Sequence, residues 1–145
     1  MNWLQKLRGK RGMIKQIDHA AIVVGDMDRA FEFYSVILGL EVILDGRKSG
    51  GQKKSFLGNK KQVLIALTED KARAGGHTAY VEGVNHIAFL VGDLEKSSLV
   101  LKDKGVNFIE EKKDKNGKIT AYHFLDPDGL ELEICAATDN EVPQY

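Results

Sequence analysis

The spacing of hydrophobic residues along the chain changes from strand-like to helix-like and back, and then does so again in the same order. Ile17 to Val24 alternates loosely and is rich in β-branched residues, which predicts a strand. Asp26 stands where a helix cap belongs. Met27, Ala30, Phe31, Tyr34 and Leu38 then recur at helical spacing until Gly39 ends the run. Strands are predicted at 41–45, 52–58 and 62–68, with a turn over Arg47 to Gly51. The second round begins with a strand over Val84 to Val91 and a cap at Asp93. Leu94, Ser97, Ser98 and Leu101 mark a weaker helix face, closed by Gly105. Strands follow near 106–111, 118–125 and 131–136. Asp114-Lys-Asn-Gly117 reads as a hairpin turn, and Asp126-Pro-Asp-Gly129 as a second, tighter one.

The two rounds also agree residue by residue. His19-Ala-Ala-Ile-Val-Val-Gly25-Asp26 recurs as His86-Ile-Ala-Phe-Leu-Val-Gly92-Asp93, at an offset of 67 residues. That offset carries Ala66 onto Glu133, so the second copy offers a His and a Glu and the first a His only. The expected fold is α+β: two βαβββ modules whose curled mixed sheets enclose a cleft, helices outside. The expected organisation is a basic extension at 1–13, module 1 at 14–69, a linker at 70–83, module 2 at 84–137 and a tail at 138–145. Pseudo-twofold symmetry would aim His19 and His86 at one point. Glu133 lies on the last strand, with Leu132 and Ile134 on the opposite face.

Composition narrows the classes. A chain of 145 residues forms one compact unit with a real core. Lys+Arg and Asp+Glu both count 21, so nothing in the global charge points to nucleic acid or membrane. No apolar run reaches the roughly 18 residues of a spanning helix. The lone Cys135 excludes an internal disulfide and suits a reducing cytoplasm. The first twelve residues carry Lys6, Arg8, Lys10 and Arg11 beside Trp3, Leu4 and Leu7, too short an apolar stretch for a secretory signal. They read as a solvated extension ahead of a core starting at Met13, or as a short docking helix for a membrane surface or partner.

Four segments together carry a family resemblance: Ile17-Asp-His19; Phe33-Tyr34 with Leu38-Gly39; Val84-Asn-His86-Ile-Ala; and Phe124-Leu-Asp-Pro-Asp-Gly129-Leu-Glu-Leu-Glu133. In this order and spacing they resemble the vicinal oxygen chelate superfamily over roughly residues 14–136. That superfamily includes glyoxalase I, type I extradiol dioxygenases, methylmalonyl-CoA epimerase, fosfomycin-resistance enzymes and metal-free bleomycin-binding proteins. The resemblance implies one divalent metal ion per chain (Fe, Mn, Zn or Ni), with His19, His86 and Glu133 as ligands. The fourth ligand place of glyoxalase I, a glutamate that is also its base, falls on Ala66. Fosfomycin thiol transferases and extradiol dioxygenases use only His, His and Glu. Such a set leaves open positions where adjacent substrate oxygens can chelate and developing negative charge is stabilised.

The other reactive side chains divide. His123 lies ten residues before Glu133, where the resemblance implies a substrate-contacting tyrosine. It is a candidate catalytic acid–base group, or else a strand histidine without a role. His77 reads as a solvated linker residue, and Cys135 as a small buried apolar one.

The expected function is a metal-dependent enzyme acting on a small-molecule substrate with vicinal oxygens, leaning to dioxygenase-type chemistry on its three-ligand set. The alternatives are a glyoxalase-like lyase or isomerase, a fosfomycin-modifying enzyme, and a metal-free drug-binding protein. Ala66 counts against the first, the lack of a basic residue just after Glu133 against the second, and the ligands themselves against the third. Open strand edges predict a homodimer, with the metal site within one chain or across two.

Overall fold

A computed structural model describes residues 16–73 and 84–136. The expected basic extension at 1–13, most of the linker with His77, and the tail at 138–145 lie outside the described residues. The fold is α+β with two four-stranded mixed sheets. The first sheet takes β1 (Ala20–Val24), β2 (Glu41–Leu44), β3 (Lys54–Asn59) and β4 (Gln62–Glu69), in the order β1-β4-β3-β2. The second takes β5 (His86–Val91), β6 (Glu110–Lys113), β7 (Ile119–Leu125) and β8 (Glu131–Ala136), in the order β5-β8-β7-β6. In each, the first strand runs parallel to the last and the other pairings are antiparallel.

Helices α1 (Met27–Phe31) and α2 (Leu94–Asp103) follow β1 and β5. Both start on aspartates that do what their sequence position suggests. Asp26 accepts the Arg29 amide at 3.0 Å and Asp93 the Lys96 amide at 2.9 Å, satisfying amides that the helix itself leaves open.

Three boundaries differ most from the sequence reading. The helix expected to run to Leu38 changes at Glu32 into a π-helical segment, Glu32–Ile37, in which the Leu38 amide reaches the Phe33 carbonyl at 2.9 Å. Tyr34 and Leu38 stand four residues apart, a spacing that either kind of helix allows, so the pattern does not reveal the change. The strand expected from Ile17 starts at Ala20, where pairing with Ile65 begins. The strand expected over 106–111 starts at Glu110. The Val106 amide is held by the Leu101 carbonyl at 3.0 Å, and Val106 and Phe108 turn into the core, so the ladder opens only opposite His123.

One apolar cluster joins both modules, from Ile22, Val24 and Leu67 on the first sheet to Phe124, Leu132 and Ile134 on the second. The Asp126-Pro-Asp-Gly129 turn ties them together. Gly129 holds φ at +90°, where a glycine is needed. Buried Tyr34 donates to Asp126 Oδ2 at 2.7 Å, and Asp126 Oδ1 accepts the amides of Asp128 and Leu130. Asp128 accepts the Gly25 amide and the Arg29 guanidinium, the latter at 3.0 Å. Burial holds the Asp126 carboxyl above the usual carboxylate range, against the opposing pull of the Tyr34 and backbone hydrogen bonds.

Candidate functional site

Strand pairing decides which side chains share a face. Across the second sheet, Ala88, Glu133, His123 and Glu110 stand side by side, and His86 is level with Glu131. Their neighbours Tyr122, Phe124, Leu132 and Ile134 point the other way, into the core. One face of this sheet is therefore polar, with two histidines and three glutamates in five nearby positions.

The histidines converge on one carboxylate. His86 Nε2 lies 3.1 Å from Glu133 Oε2, and His123 Nε2 lies 3.2 Å from the same oxygen. The two rings are 5.3 Å apart between centroids. Glu133 and Glu131 are each mostly buried, so their charges need partners. His123 is 4% exposed, and its Nε2 is buried with no hydrogen-bond partner despite the nearby oxygen.

The other ring nitrogens are occupied. His86 Nδ1 donates to Asn85 Oδ1 at 2.8 Å, and His123 Nδ1 donates to Glu131 Oε1 at 3.3 Å. Amide and carboxylate oxygens only accept here, so in the neutral rings the proton sits on Nδ1 and the lone pair on Nε2. His19 follows the same rule: its Nδ1 donates to Asp18 Oδ2 at 2.8 Å. His86 Nε2 and Glu133 Oε2, 3.1 Å apart, form a donor pair that fits a divalent cation, whereas His86, His123 and Glu133 do not close into a group of three donors within 4.8 Å among the described residues.

Around this pair stand Glu110 and Lys112. Glu110, His123 and Glu131 bring one donor atom each within 4.8 Å of one another, the group of three that does so among the described residues. Lys112 Nζ lies 3.0 Å from Glu110; this contact holds the Glu110 carboxyl below its usual range and raises the Lys112 ammonium, with Glu133 and Glu131 adding to the latter. Cys135 shares the face, but burial and the Glu133 charge push its thiol up, away from thiolate character.

Each residue singled out in the sequence has a definite place. His86, Glu133 and His123 come together on the second sheet. His19 stands just before β1, half-exposed and bonded to Asp18. It lines, with His86, Ala21, Leu64 and Phe89, a cavity of about 1000 Å³ between the two sheets. Ala66 is 1% exposed and level with Ala21 and Phe56. Glu69 is turned to the helix side, where it accepts the Met27 amide at 2.8 Å. Sequence reasoning missed Asp18, Asn85, Glu131, Glu110 and Lys112. For the first two a signal existed, since the 67-residue offset also pairs Asp18 with Asn85, one residue before each histidine.

Two βαβββ units, with a histidine at the start of each and a carboxylate on the last strand of one, define the architecture and donor arrangement of a vicinal oxygen chelate protein. Comparison places the chain more closely: it belongs to the Glyoxalase/Bleomycin resistance protein/Dioxygenase superfamily, whose model matches residues 16–134. It is 32% identical over 125 residues to the metallothiol transferase FosB of Staphylococcus epidermidis, covering 84% of each chain. It is 26% identical to the lactoylglutathione lyase of Schizosaccharomyces pombe, covering 87% of this chain and spanning about half (49%) of that one. Among solved structures, a glyoxalase family protein from Enterococcus faecalis superposes with a TM-score of 0.70 at 28% identity, covering 86% of this chain and 99% of that one. No helix of the described residues is long and apolar enough to cross a membrane.

Proposed function

We propose that this chain is a metal-dependent enzyme acting on a small molecule that presents adjacent oxygens, and that its reaction lies nearer thiol transfer than lactoylglutathione isomerisation. The observation that carries this is the convergence of His86 Nε2 and His123 Nε2 on Glu133 Oε2. His86 and Glu133 would hold the ion from the second sheet, and Asn85 would orient His86 by accepting the proton of Nδ1 in a hydrogen bond. When bound, the ion supplies Lewis-acid stabilisation of negative charge developing on a substrate oxygen.

His19 is the third ligand, contributed by a second copy of the chain. Within one chain His19, His86 and Glu133 do not close into a group of the kind that Glu110, His123 and Glu131 form among the described residues. The faces that carry these histidines also leave Leu90 68% and Val23 52% exposed, and β1 and β5 are sheet edges, so a homodimer would cover apolar surface.

Ala66 decides the reaction class. A base that removes a proton beside a carbonyl must stand within hydrogen-bond reach of it. Ala66 offers a methyl group, and Glu69 faces the helix. No basic residue stands just after Glu133, but Lys112 stands on the same face as Glu133 and Glu131 and suits a substrate with an anionic group. The names of the relatives above are lyase and thiol transferase, which moves the reading away from dioxygenase chemistry.

The test is metal analysis of protein purified without chelator, then turnover assays. We expect one divalent ion per chain, thiol addition to an epoxide such as fosfomycin, and little turnover of the methylglyoxal–glutathione adduct. Oxygen uptake with catechols serves as the contrasting assay. Protein with no metal above background ends this reading. Mixing His19→Ala with His86→Ala protein should restore metal binding to a quarter of the sites, or fewer, if the site spans two chains, and none if it lies within one.

A further inference from the structure

We infer that Asp18 is the positioning residue of His19: its carboxylate commits the first module's histidine to one tautomer, with the Nε2 lone pair left for a metal ion, more firmly than the Asn85 amide commits His86. This rests on the metal-centre reading above.

Three observations carry it. The first is placement. The 67-residue offset that carries His19 onto His86 also carries Asp18 onto Asn85, and each stands 2.8 Å from the Nδ1 of the histidine that follows it. The same contact is built twice, once with a carboxylate and once with an amide. The second is the chemistry of those groups. An ionised carboxylate only accepts, so a neutral His19 ring meets it with the proton on Nδ1. An amide has two ends. Turned over, Asn85 offers its NH2 group to Nδ1, and the ring proton passes to Nε2, where Glu133 Oε2 stands 3.1 Å away to accept it. That second pattern blocks coordination through His86 Nε2, and a carboxylate at position 18 denies it to His19. The third is dependence. His86 meets Glu133 as well as Asn85, whereas Asp18 is the one hydrogen-bond partner of His19 among the described residues.

Two other roles for Asp18 fit less well. Its side chain is 89% exposed, so the carboxylate supports no core. The two ring nitrogens point away from each other, so a group bound to Nδ1 holds the ring from behind and is not itself a donor to an ion at Nε2.

The experiment uses the full chain stripped of metal. Co(II) is the probe, followed by its visible absorption, and ¹⁵N-labelled histidine reads the tautomers in the metal-free state. If the wild type takes up no Co(II), or His19→Ala binds it as tightly as the wild type, the metal-centre reading fails and the inference falls with it. With that control met, Asp18→Ala should weaken Co(II) binding by about 10–100-fold, the range for loss of an outer-shell partner. The His19 resonances of the metal-free chain should move from the Nδ1–H form to a mixture of both tautomers, while those of His86 stay as they were. Asp18→Asn copies the second module: it should recover much of the affinity lost in Asp18→Ala and still show mixed His19 tautomers. Unaltered affinity in Asp18→Ala overturns the inference and leaves the metal centre standing. So does a loss of affinity with the His19 tautomer unmoved in every variant, which marks a simple charge effect. Asp18→Asn equal to the wild type in both readouts overturns the advantage of carboxylate over amide.

Discussion

Across the first sheet, one row of side chains reads Ala21, Ala66, Phe56; the matching row of the second reads Ala88, Glu133, His123, with Glu110 beyond. The central pairing is the same in both, and its positions are related by the 67-residue offset (Ala66 to Glu133, Phe56 to His123, Leu64 to Glu131), while the outer strands differ by one residue, Leu44 standing opposite Phe56 and Glu110 opposite His123. At their centres the sheets therefore differ in what they carry and not in how they are built. Strand register fixes the positions of side chains on a face whatever their chemistry, so a reactive cluster can be placed on one of two equivalent frames without altering the other. What the polar frame requires in addition is a layer of partners. Asn85, Glu131 and Lys112 supply it, whereas the apolar frame has only Asp18 beside its single histidine.

The sharpest way to break the comparison is to exchange its central residues. Glu133→Ala should lower metal content after dialysis to background, while Ala66→Ser, at the equivalent place, should leave it unchanged. Equal loss in both would mean that the first sheet carries as much of the site as the second.

The reverse exchange, Ala66→Glu, puts a carboxylate at a position 1% exposed and level with Ala21 and Phe56. In the metal-free protein it should cost about 3 kcal/mol or more, read from the urea midpoint. A neutral result would show that the first sheet can already host a charge.

The join between the modules comes next. Tyr34→Phe removes the hydroxyl that donates to Asp126 Oδ2 and should cost about 1–3 kcal/mol by urea unfolding, with metal content intact. The smallest effect is one of pH. Burial raises the Asp126 carboxyl in the folded protein above its ordinary 3.8, so the folded state binds this proton more tightly than the unfolded state. The contribution is favourable in acid and is lost as pH rises from the ordinary value through the folded one. Relative to Asp126→Asn, the wild type should therefore lose stability across that window and run parallel above it. Urea unfolding from about pH 3 to pH 7 follows this difference.

The sequence reached the architecture because the repeat is visible in spacing and identity alike: both cap aspartates, both helix faces and β8 at 131–136 follow from local pattern. Its errors were of a different kind. The π-helical segment after Phe31 is spelled by apolar spacings that an α-helix also allows, and the late start of β6 depends on Val106 and Phe108 entering the core. In the candidate site, motif and offset mark His86 and Glu133, and the resemblance singles out His123 by its place ten residues before Glu133. Glu131 and Glu110 were not, because a glutamate on an exposed strand and one beside a buried imidazole read alike in sequence. Only the pairing of β6, β7 and β8 brings them to His123.

The turn at Asp126 to Gly129 also bears on how the chain is made. Asp128 accepts the Gly25 amide from 103 residues away, and Asp126 does the same for the Tyr34 hydroxyl from 92. A ribosome delivers the first module long before those carboxylates exist. Until they emerge, a backbone amide and a phenol destined for the interior have only water for partners. The early module is thus held incomplete during synthesis, and its closure waits on the last hairpin of the second. Heating the finished protein should accordingly melt both modules in one cooperative transition, since neither can lose its half of the junction without exposing the other's.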